Sequence, residues 1–142
     1  MASESRLYTF SPETKDALRK FRLSTSRAKD PQAVIYEISK DLEIRPSTPH
    51  ETYSNMEDLS DALPDNSPRF ILLSHPLTLG SGRLSVPYVM LNYLPATCSQ
   101  SARMLYAGAK ELMRSQSEVG RVVEIEDAEE VVGIEGVLQG ED

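Results

Sequence analysis

The order of helix-like and strand-like segments along the chain is the feature that most constrains its fold. Apolar residues recur with a helical period at 12–24, 56–63, 99–116 and 127–138. β-rich runs are found at 33–38, 42–44, 51–54, 69–74, 84–94 and 121–125. Strands interleaved with helices in this order form a sheet that helices cover on both faces. We therefore predict one domain, residues 1–142, with a central sheet between helices.

Two of the predicted helices carry start signals, and a third is weakened by glycine. Ser11 followed by Pro12 is typical of a helix start, and Ser99 is the N-cap predicted for the long helix. Gly133 and Gly136 weaken the terminal helix, because glycine has a low helix propensity.

The segment HPLTLGSG, at 75–82, separates the two strongest strand signals. Its Gly-Ser-Gly tip predicts an exposed hairpin loop. Pro87 places part of the following strand at an edge or a bulge, since proline has no N–H to donate to a neighbouring strand. The loop precedes a strand and not a helix, so its glycines do not form a phosphate-binding loop.

The acidic character of the chain is confined to its C-terminal end. The formal net charge is −7, yet residues 117–142 carry nine acidic side chains against Arg121 alone. Residues 1–116 carry 13 acidic and 14 basic side chains, a net charge of +1. This distribution argues against general nucleic-acid binding but leaves room for local basic patches. We expect a flexible N-terminal segment at 1–10 and an acidic tail at 139–142.

Composition also bears on the compartment. No apolar run approaches the ~20 residues needed to cross a bilayer. The first ten residues lack the basic start and apolar core of a secretory signal. Cys98 is the single cysteine, which excludes an internal disulfide and fits a reducing compartment. We expect a cytoplasmic protein.

The long helix at 99–116 has two different faces. Its apolar stripe consists of Ala102, Leu105, Tyr106, Ala109, Leu112 and Met113. The opposite side is predicted to carry Arg103, Lys110 and Arg114, with Ala107 between them and Met104 at the edge. A solvated helix face usually alternates the signs of its charges, whereas these three cations have one nearby acid, Glu111. Because Met suits adaptable contact surfaces, we predict that this face binds a partner; a solvated face is the alternative.

A second basic cluster lies on and after the first helix. It consists of Lys15, Arg19, Lys20, Arg22, Arg27 and Lys29. Asp16 is the one acid among these six bases, so the cluster is predicted to be poorly neutralised. Clustered arginines favour recognition of carboxylate or phosphate groups. We interpret the cluster as a protein-binding patch, with an ordinary solvated helix face as the alternative.

Residue combinations typical of catalysis are absent from the sequence. His50 and His75 have no cysteine or carboxylate at metal-ligand spacing. The motifs of phosphate loops, dinucleotide-binding folds, serine hydrolases and zinc proteases do not occur. Glu129 and Glu130 lie in the acidic C-terminal end, without the dry pocket that general acid catalysis needs. We expect no enzymatic activity, cofactor or metal, and a small-molecule enzyme is the rival from another functional class.

Four segments carry a resemblance to a known family. They are LRKFRL at 18–23, LPDNSPRFILLS at 63–74, GRLSVPYVMLNY at 82–93 and RMLYAGAKELM at 103–113. The last segment resembles the long binding helix of the actin-depolymerising-factor homology domain, whose hallmark is Met-Leu-Tyr-Ala followed by small residues and a lysine, here Lys110. The other three are more similar to the glia maturation factor family than to cofilin. The loops resemble those of fungal members.

The resemblance implies an α+β fold, a single cofilin-like domain with a mixed sheet of about five strands between two pairs of helices. It also implies a partner, the actin-related protein 2/3 complex, which nucleates branched actin. Members of the family inhibit nucleation and promote debranching of actin filaments without strong binding to actin itself. The resemblance therefore implies a monomer at the actin cortex and in actin patches, with no nucleic-acid or membrane partner.

The resemblance places a partner-binding surface on both basic elements. Its residues are Arg19, Lys20, Arg22, Arg103, Met104, Ala107, Lys110 and Arg114. Cofilin-like proteins tend to have a base where this chain has Ser101, which fits a weakened affinity for actin. Arg103 remains cationic, so weak actin binding stays open. The alternative function is that of a cofilin-like protein that severs or depolymerises filaments.

The family also has a second surface, on the hairpin loop and the terminal helix. In this chain it would involve Leu79, Ser81 and Arg83. The loop carries no charge before Arg83 and the terminal helix has no base, so the use of this surface stays open. Ser3 matches the regulatory N-terminal serine region of the wider family, where phosphorylation would add about −1.5 to −2 charges near a basic patch.

Overall fold

The computed structural model describes residues 8–25, 29–47 and 51–139. The helices are α1 (Pro12–Thr25), α2 (Met56–Ala62), α3 (Gln100–Ser117), α4 (Glu129–Val132) and α5 (Ile134–Gln139). The strands are β1 (Gln32–Ile38), β2 (Ile44–Pro46), β3 (Arg69–Ser74), β4 (Leu77–Thr78), β5 (Leu84–Ser85), β6 (Tyr88–Tyr93) and β7 (Arg121–Ile125). The predicted positions of α1, α3, β1, β3 and β7 are confirmed to within one residue at each end.

Five strands form one mixed sheet in the order β2-β1-β3-β6-β7. Neighbouring strands are antiparallel except β6 and β7, which are parallel. β3 and β6 lie at the centre, and their nearly uninterrupted apolar runs suit strands that are buried on both faces. Ile71 of β3 lies opposite Ile35 of β1 on one side and Leu91 of β6 on the other. The mixed five-stranded sheet implied by the resemblance is confirmed.

Alternate residues of the central strands supply two separate cores. Phe70, Leu72 and Met90 point to the face that α1 and α3 cover. Ile71 and Leu73 point to the other face, which α2, α4 and α5 cover. Because successive side chains of a strand point to opposite faces, one apolar run serves both cores. The two longest helices therefore share one face and pack against each other there.

Both long helices begin at the predicted serine caps. Ser11 Oγ accepts a hydrogen bond from the N–H of Thr14 at 3.1 Å. Ser99 Oγ accepts one from the N–H of Ala102, also at 3.1 Å. These bonds satisfy backbone donors that have no partner inside the first helical turn. α3 ends where Glu118 adopts a left-handed backbone conformation, with φ at 59°.

Several predicted elements differ from those observed. The strand predicted at 42–44 lies two residues later, as β2 (Ile44–Pro46), and the loop predicted at 75–82 contains β4, where Leu77 is buried. The predicted strand at 84–94 is divided into β5 and β6 at Pro87, which lacks a ladder donor and whose carbonyl accepts from the N–H of His75 at 3.1 Å. Residues 51–54 contribute an isolated bridge between Tyr53 and Ala33 instead of a strand. The terminal helix is divided at Gly133 into α4 and α5, since glycine lowers helix propensity.

The prediction of a flexible N-terminal segment is wrong for residues 8–10, which we call the N-terminal strap. The N–H of Thr9 donates to the carbonyl of Leu42 at 3.0 Å, and the N–H of Ile44 donates to the carbonyl of Thr9 at 2.8 Å. Tyr8 is buried, and its hydroxyl donates to the carbonyl of Leu105 on α3 at 2.9 Å. Backbone pairing with the edge of the sheet and burial of the Tyr8 ring hold the strap in place.

Some predicted features lie outside the described residues. These are residues 1–7 with Ser3, the cluster member Arg27, His50, and residues 140–142 of the acidic tail. Among the helices of the described part, none combines the length and apolar character that crossing a bilayer requires.

Candidate partner-binding surface

The side of α3 that faces away from the sheet presents an apolar side chain to water. Met104 is 65% exposed, and Ala107, nearly one turn further on, is also exposed. On the sheet side, Tyr106, Ala109 and Met113 are buried, which confirms the predicted inward stripe at these positions. We call Met104 and Ala107 the outer face of α3. Met104 is a long, flexible apolar side chain that protrudes beside the small side chain of Ala107, and such side chains suit adaptable contact surfaces.

Arg103 and Lys110 lie on the flank of α3 that faces β7, and the prediction that they lie opposite the core is wrong. The Nζ atom of Lys110 is 3.6 Å from the carboxylate of Glu124 on β7, and its side chain is only 32% exposed. Arg103 donates from Nη2 to the carbonyl of Pro95 at 3.3 Å. Seven residues make about two helical turns, so both side chains leave α3 on the same side. They border the outer face along one edge.

Arg103 lines a cleft together with acidic side chains. This cleft of about 290 Å³ lies between α3, the end of β7 and α4, and its lining includes Glu124, Glu126 and Glu130 beside Arg103. The carboxylate of Glu130 accepts hydrogen bonds from the backbone N–H groups of Glu126 and Asp127, at 2.9 and 3.0 Å. Arg103 therefore shares this cleft with three acidic side chains of its own chain.

Arg114, the third cation predicted for this stripe, is paired within α3. Its guanidinium contacts the carboxylate of Glu111 through Nε at 3.0 Å and Nη2 at 2.9 Å. Both side chains are exposed, so this is a surface pair at i,i+3 spacing. The pair neutralises the charge of the stripe near the end of α3.

The prediction that the α1 cluster is poorly neutralised is wrong for its three site residues. Arg19 and Lys20 both contact the carboxylate of Asp16, and the Lys20 contact is 3.0 Å long. The hydrogen bond from Lys20 holds the pKa of Asp16 below its usual value. Arg22 reaches the carboxylate of Glu118, at the end of α3, at 3.6 Å. The sequence alone does not predict the contact between Arg22 and Glu118, because the two residues are far apart in the chain.

The two basic patches border the outer face from opposite sides. Lys15 of α1 lines a cleft of about 320 Å³ with Leu112 and Gln116 of α3 and with the strap, so α1 lies on that flank. Leu112 and Lys110 are about 200° apart around the helix axis at about 100° per residue. Lys110 therefore lies on the other flank, toward β7. Lys15 and Lys110 therefore lie on opposite flanks of α3.

The strap approaches α3 most closely at Gly108. A Cβ atom on residue 108 would lie 2.7 Å from the hydroxyl oxygen of Tyr8, a distance that forces the ring to move. Glycine at this position therefore allows the strap to seat against the helix. Sequence reasoning did not single out Tyr8. The usable signal was an aromatic residue just before the Ser11 cap, together with a glycine inside an amphipathic helix.

The hairpin and the terminal helix of the predicted second surface are neighbours. Leu79 of the hairpin and Leu138 of α5 line one cleft of about 330 Å³. Ser81 and Arg83 are exposed at the hairpin tip, where the N–H of Leu79 donates to the carbonyl of Arg83 at 2.8 Å. Leu84 beside them is 76% exposed. The exposed tip of the hairpin therefore carries an apolar side chain beside Arg83.

Tyr36 and His75 are titratable side chains that are buried in the fold. Burial raises the pKa of Tyr36 to about 12, so its hydroxyl is protonated at neutral pH. His75 is buried, with Nδ1 3.2 Å from the carbonyl of Pro76. Within residues 8–25, 29–47 and 51–139, no three His, Cys, Asp or Glu side chains are grouped to hold a metal ion.

Comparison with known proteins identifies the family. The sequence profile described as "Cofilin/tropomyosin-type actin-binding protein" matches residues 7–135. Protein AIM7 of Saccharomyces cerevisiae is 36% identical over 134 residues, covering 85% of this chain and 86% of the yeast protein. Human glia maturation factor beta is 31% identical over 118 residues, covering 82% and 80% of the two chains.

Solved structures show the same fold. The solution structure of glia maturation factor from Caenorhabditis elegans superposes with a TM-score of 0.72 at 28% identity, covering 87% of this chain and 88% of that one. Streptomyces griseoflavus cofilin superposes with a TM-score of 0.75 at 16% identity, covering 92% and 94%, which shows the fold alone. The chain belongs to the cofilin and actin-depolymerising-factor family of actin-binding regulators and, within it, to the glia maturation factor family.

Proposed function

We propose that the chain binds the actin-related protein 2/3 complex through the outer face of α3, inhibits actin nucleation and promotes debranching of actin filaments. The observation that carries this proposal is Met104, 65% exposed beside Ala107 between two cationic edges, in a chain of the glia maturation factor family. We further propose that the protein acts as a monomer in the cytoplasm, at the actin cortex and in actin patches.

Met104 supplies the apolar part of the proposed contact. We propose that α3 docks in a groove at the barbed end of an actin-like subunit, a groove that is apolar inside and acidic at its rim. Transfer of the Met104 side chain from water into such a groove contributes about 1.5–3 kcal/mol to binding. Ala107 and Gly108 add no bulk beside it, which allows the helix backbone to approach the groove closely.

The cations orient the docked protein and raise the rate at which it associates with its partner. Arg103 and Lys110 on one edge, and Arg19 and Arg22 on the other, match an acidic rim on both sides of the groove. Complementary charge of this kind raises the association rate and fixes the register of docking more than it raises affinity. Debranching then needs no covalent step, because a ligand that prefers the released state of a branch junction shifts the population toward that state.

Truncation of Met104 tests the apolar contact. Met104→Ala should weaken binding of the purified complex about tenfold or more, since the lost transfer energy exceeds about 1.4 kcal/mol. Glu57→Ala on α2 is the control, because Glu57 is exposed on a helix that covers the other face of the sheet and lies outside both predicted surfaces. Equal affinities of Met104→Ala and wild type for the complex would show that the outer face is not part of the interface.

Removal of the cations tests the two edges separately. One variant carries Arg103→Ala with Lys110→Ala, and the other replaces Arg19, Lys20 and Arg22 by Ala. Both should reduce capture of the complex in a pull-down while leaving the urea unfolding midpoint nearly unchanged, because these are surface groups. If both variants capture the complex as wild type does, the assignment of these residues is wrong.

Cofilin-like severing is the second candidate function, and the cationic Arg103 keeps it open. Ser101, which is exposed at the start of α3, places a neutral hydroxyl where cofilin-like proteins tend to have a base. The proposal therefore predicts little co-sedimentation with unbranched actin filaments and no shortening of them. Strong co-sedimentation together with severing would favour the cofilin-like function.

A further inference from the structure

Five cations of α1 and α3 are already engaged by carboxylates of the same chain. Asp16 contacts Arg19 and Lys20, Glu118 contacts Arg22, Glu111 contacts Arg114 and Glu124 contacts Lys110. A partner that presents acidic groups must compete with these carboxylates for the cations. The strength of docking therefore depends on acids outside the contact as well as on the cations within it.

Glu124 lies at the β7 edge of the outer face, where Arg103 and Lys110 also lie. Its Oε2 atom is 3.6 Å from Lys110 Nζ, and its side chain lines the cleft that also contains Arg103. One carboxylate on the β7 edge therefore contacts Lys110 and shares a cleft with Arg103. We infer that Glu124 is a positioning residue that weakens docking, by holding Lys110 toward β7 and by adding negative charge at the edge of the outer face. This inference rests on the proposed function.

Three features of the pair support a competitive role over a structural one. The contact is an ion pair at 3.6 Å, which is longer than a good charge-assisted hydrogen bond. The Glu124 side chain is 60% exposed, so the fold does not depend on its burial. Glu124 also alternates with Val123 and Ile125, which pack in the other core, so its side chain lies on the α3 side of the sheet edge. A carboxylate there faces the docking helix.

The expected change in affinity is modest because the Glu124–Lys110 ion pair is partly exposed to solvent. Exposed ion pairs are weak, so release of Lys110 should raise the affinity for an acidic partner about two- to fivefold. The gain should appear mainly in the association rate and should shrink as salt screens the charges. A structural role for Glu124 would instead change stability and leave this rate unaltered.

The experiment measures association and dissociation of the purified actin-related protein 2/3 complex with four full-length chains: wild type, Glu124→Gln, Lys110→Ala and the double variant. Glu57→Gln is the matched control, because Glu57 is exposed on α2, behind the other face of the sheet, and its loss changes the net charge equally. We expect Glu124→Gln to bind about two- to fivefold more tightly, and the gain to be smaller when Lys110 is absent.

Two results would overturn the inference. One is an affinity of Glu124→Gln equal to or below that of wild type, and the other is an equal gain from Glu57→Gln, which would make the effect one of net charge alone. In both cases wild type still binds, so the proposed function stands. If wild type fails to bind the complex, the proposed function is overturned and this inference with it.

Discussion

The contact between Tyr8 and Gly108 predicts a pair of substitutions whose effects on stability do not add. The Tyr8 hydroxyl donates to the carbonyl of Leu105 at 2.9 Å, and a Cβ on residue 108 would lie 2.7 Å from that hydroxyl oxygen. Within the helix alone, Gly108→Ala should raise the free energy of unfolding by about 1 kcal/mol, because alanine has a higher helix propensity than glycine. It also displaces the hydroxyl and loses a hydrogen bond of about 1 kcal/mol. We expect the free energy of unfolding to change little.

The outcome differs when the hydroxyl is absent. Tyr8→Phe alone loses the hydrogen bond, and we expect a destabilisation of about 1 kcal/mol. The ring atom then nearest to a Cβ on residue 108 is Cζ at 3.7 Å, which is ordinary van der Waals contact. Gly108→Ala made in the Tyr8→Phe chain should therefore stabilise by the full helix-propensity gain, about 1 kcal/mol. The interaction free energy of the double-mutant cycle is about 1 kcal/mol.

Urea unfolding followed by circular dichroism measures this cycle on wild type, the two single variants and the double variant. Gly136→Ala is the control, because a Cβ on that residue of α5 has no heavy atom within 4 Å. Its effect should be the same with Tyr8 and with Phe at position 8. Additivity of Tyr8→Phe and Gly108→Ala within about 0.3 kcal/mol would refute the proposed seating of the strap on α3.

Three further substitutions test separate contacts. Ser99→Ala removes the side-chain acceptor at the start of α3 and should lower the free energy of unfolding by about 1 kcal/mol in a urea titration. Tyr106→Phe removes the oxygen that accepts from the N–H of Ile38 at 2.9 Å, and the same titration should show a loss of about 1 kcal/mol or more. Asp16 should titrate below 3.8 by NMR, and Lys20→Met should raise its pKa toward that value. Because the folded-state pKa of Asp16 is lowered, the pair stabilises the fold above the usual pKa, and this contribution disappears as the pH falls through the lowered value.

Elements with a strong local signal could be predicted from the sequence. The apolar run at 69–74 has no helical period and forms β3 over the same residues. Ser11 and Ser99 mark the starts of α1 and α3, because a side-chain oxygen there satisfies a backbone donor that the first turn leaves free. The buried positions of α3 follow from spacing alone, since Tyr106, Ala109 and Met113 face the sheet.

Features that depend on distant parts of the chain could not be predicted in this way. A helical wheel gives the direction of Lys110 relative to its own axis, but it does not say that β7 lies beside that flank and brings Glu124 to it. Arg22 meets Glu118 for the same reason, at a contact between two helices that are far apart in sequence. The strap is held by the contact of Tyr8 with α3 at Gly108, and local patterns at each residue do not say that two such distant segments meet.

The measurement that tests the central proposal most directly is fluorescence microscopy of preformed branched actin filaments, scoring branch loss separately from breakage of filaments. The proposal predicts that wild type accelerates the loss of branches and leaves unbranched filaments intact. Met104→Ala should lose most of this effect, while Glu57→Ala should retain it. Breakage of unbranched filaments at the rate of branch loss, or equal branch loss with Met104→Ala and wild type, would contradict the proposal that the outer face of α3 docks on the branch-forming complex.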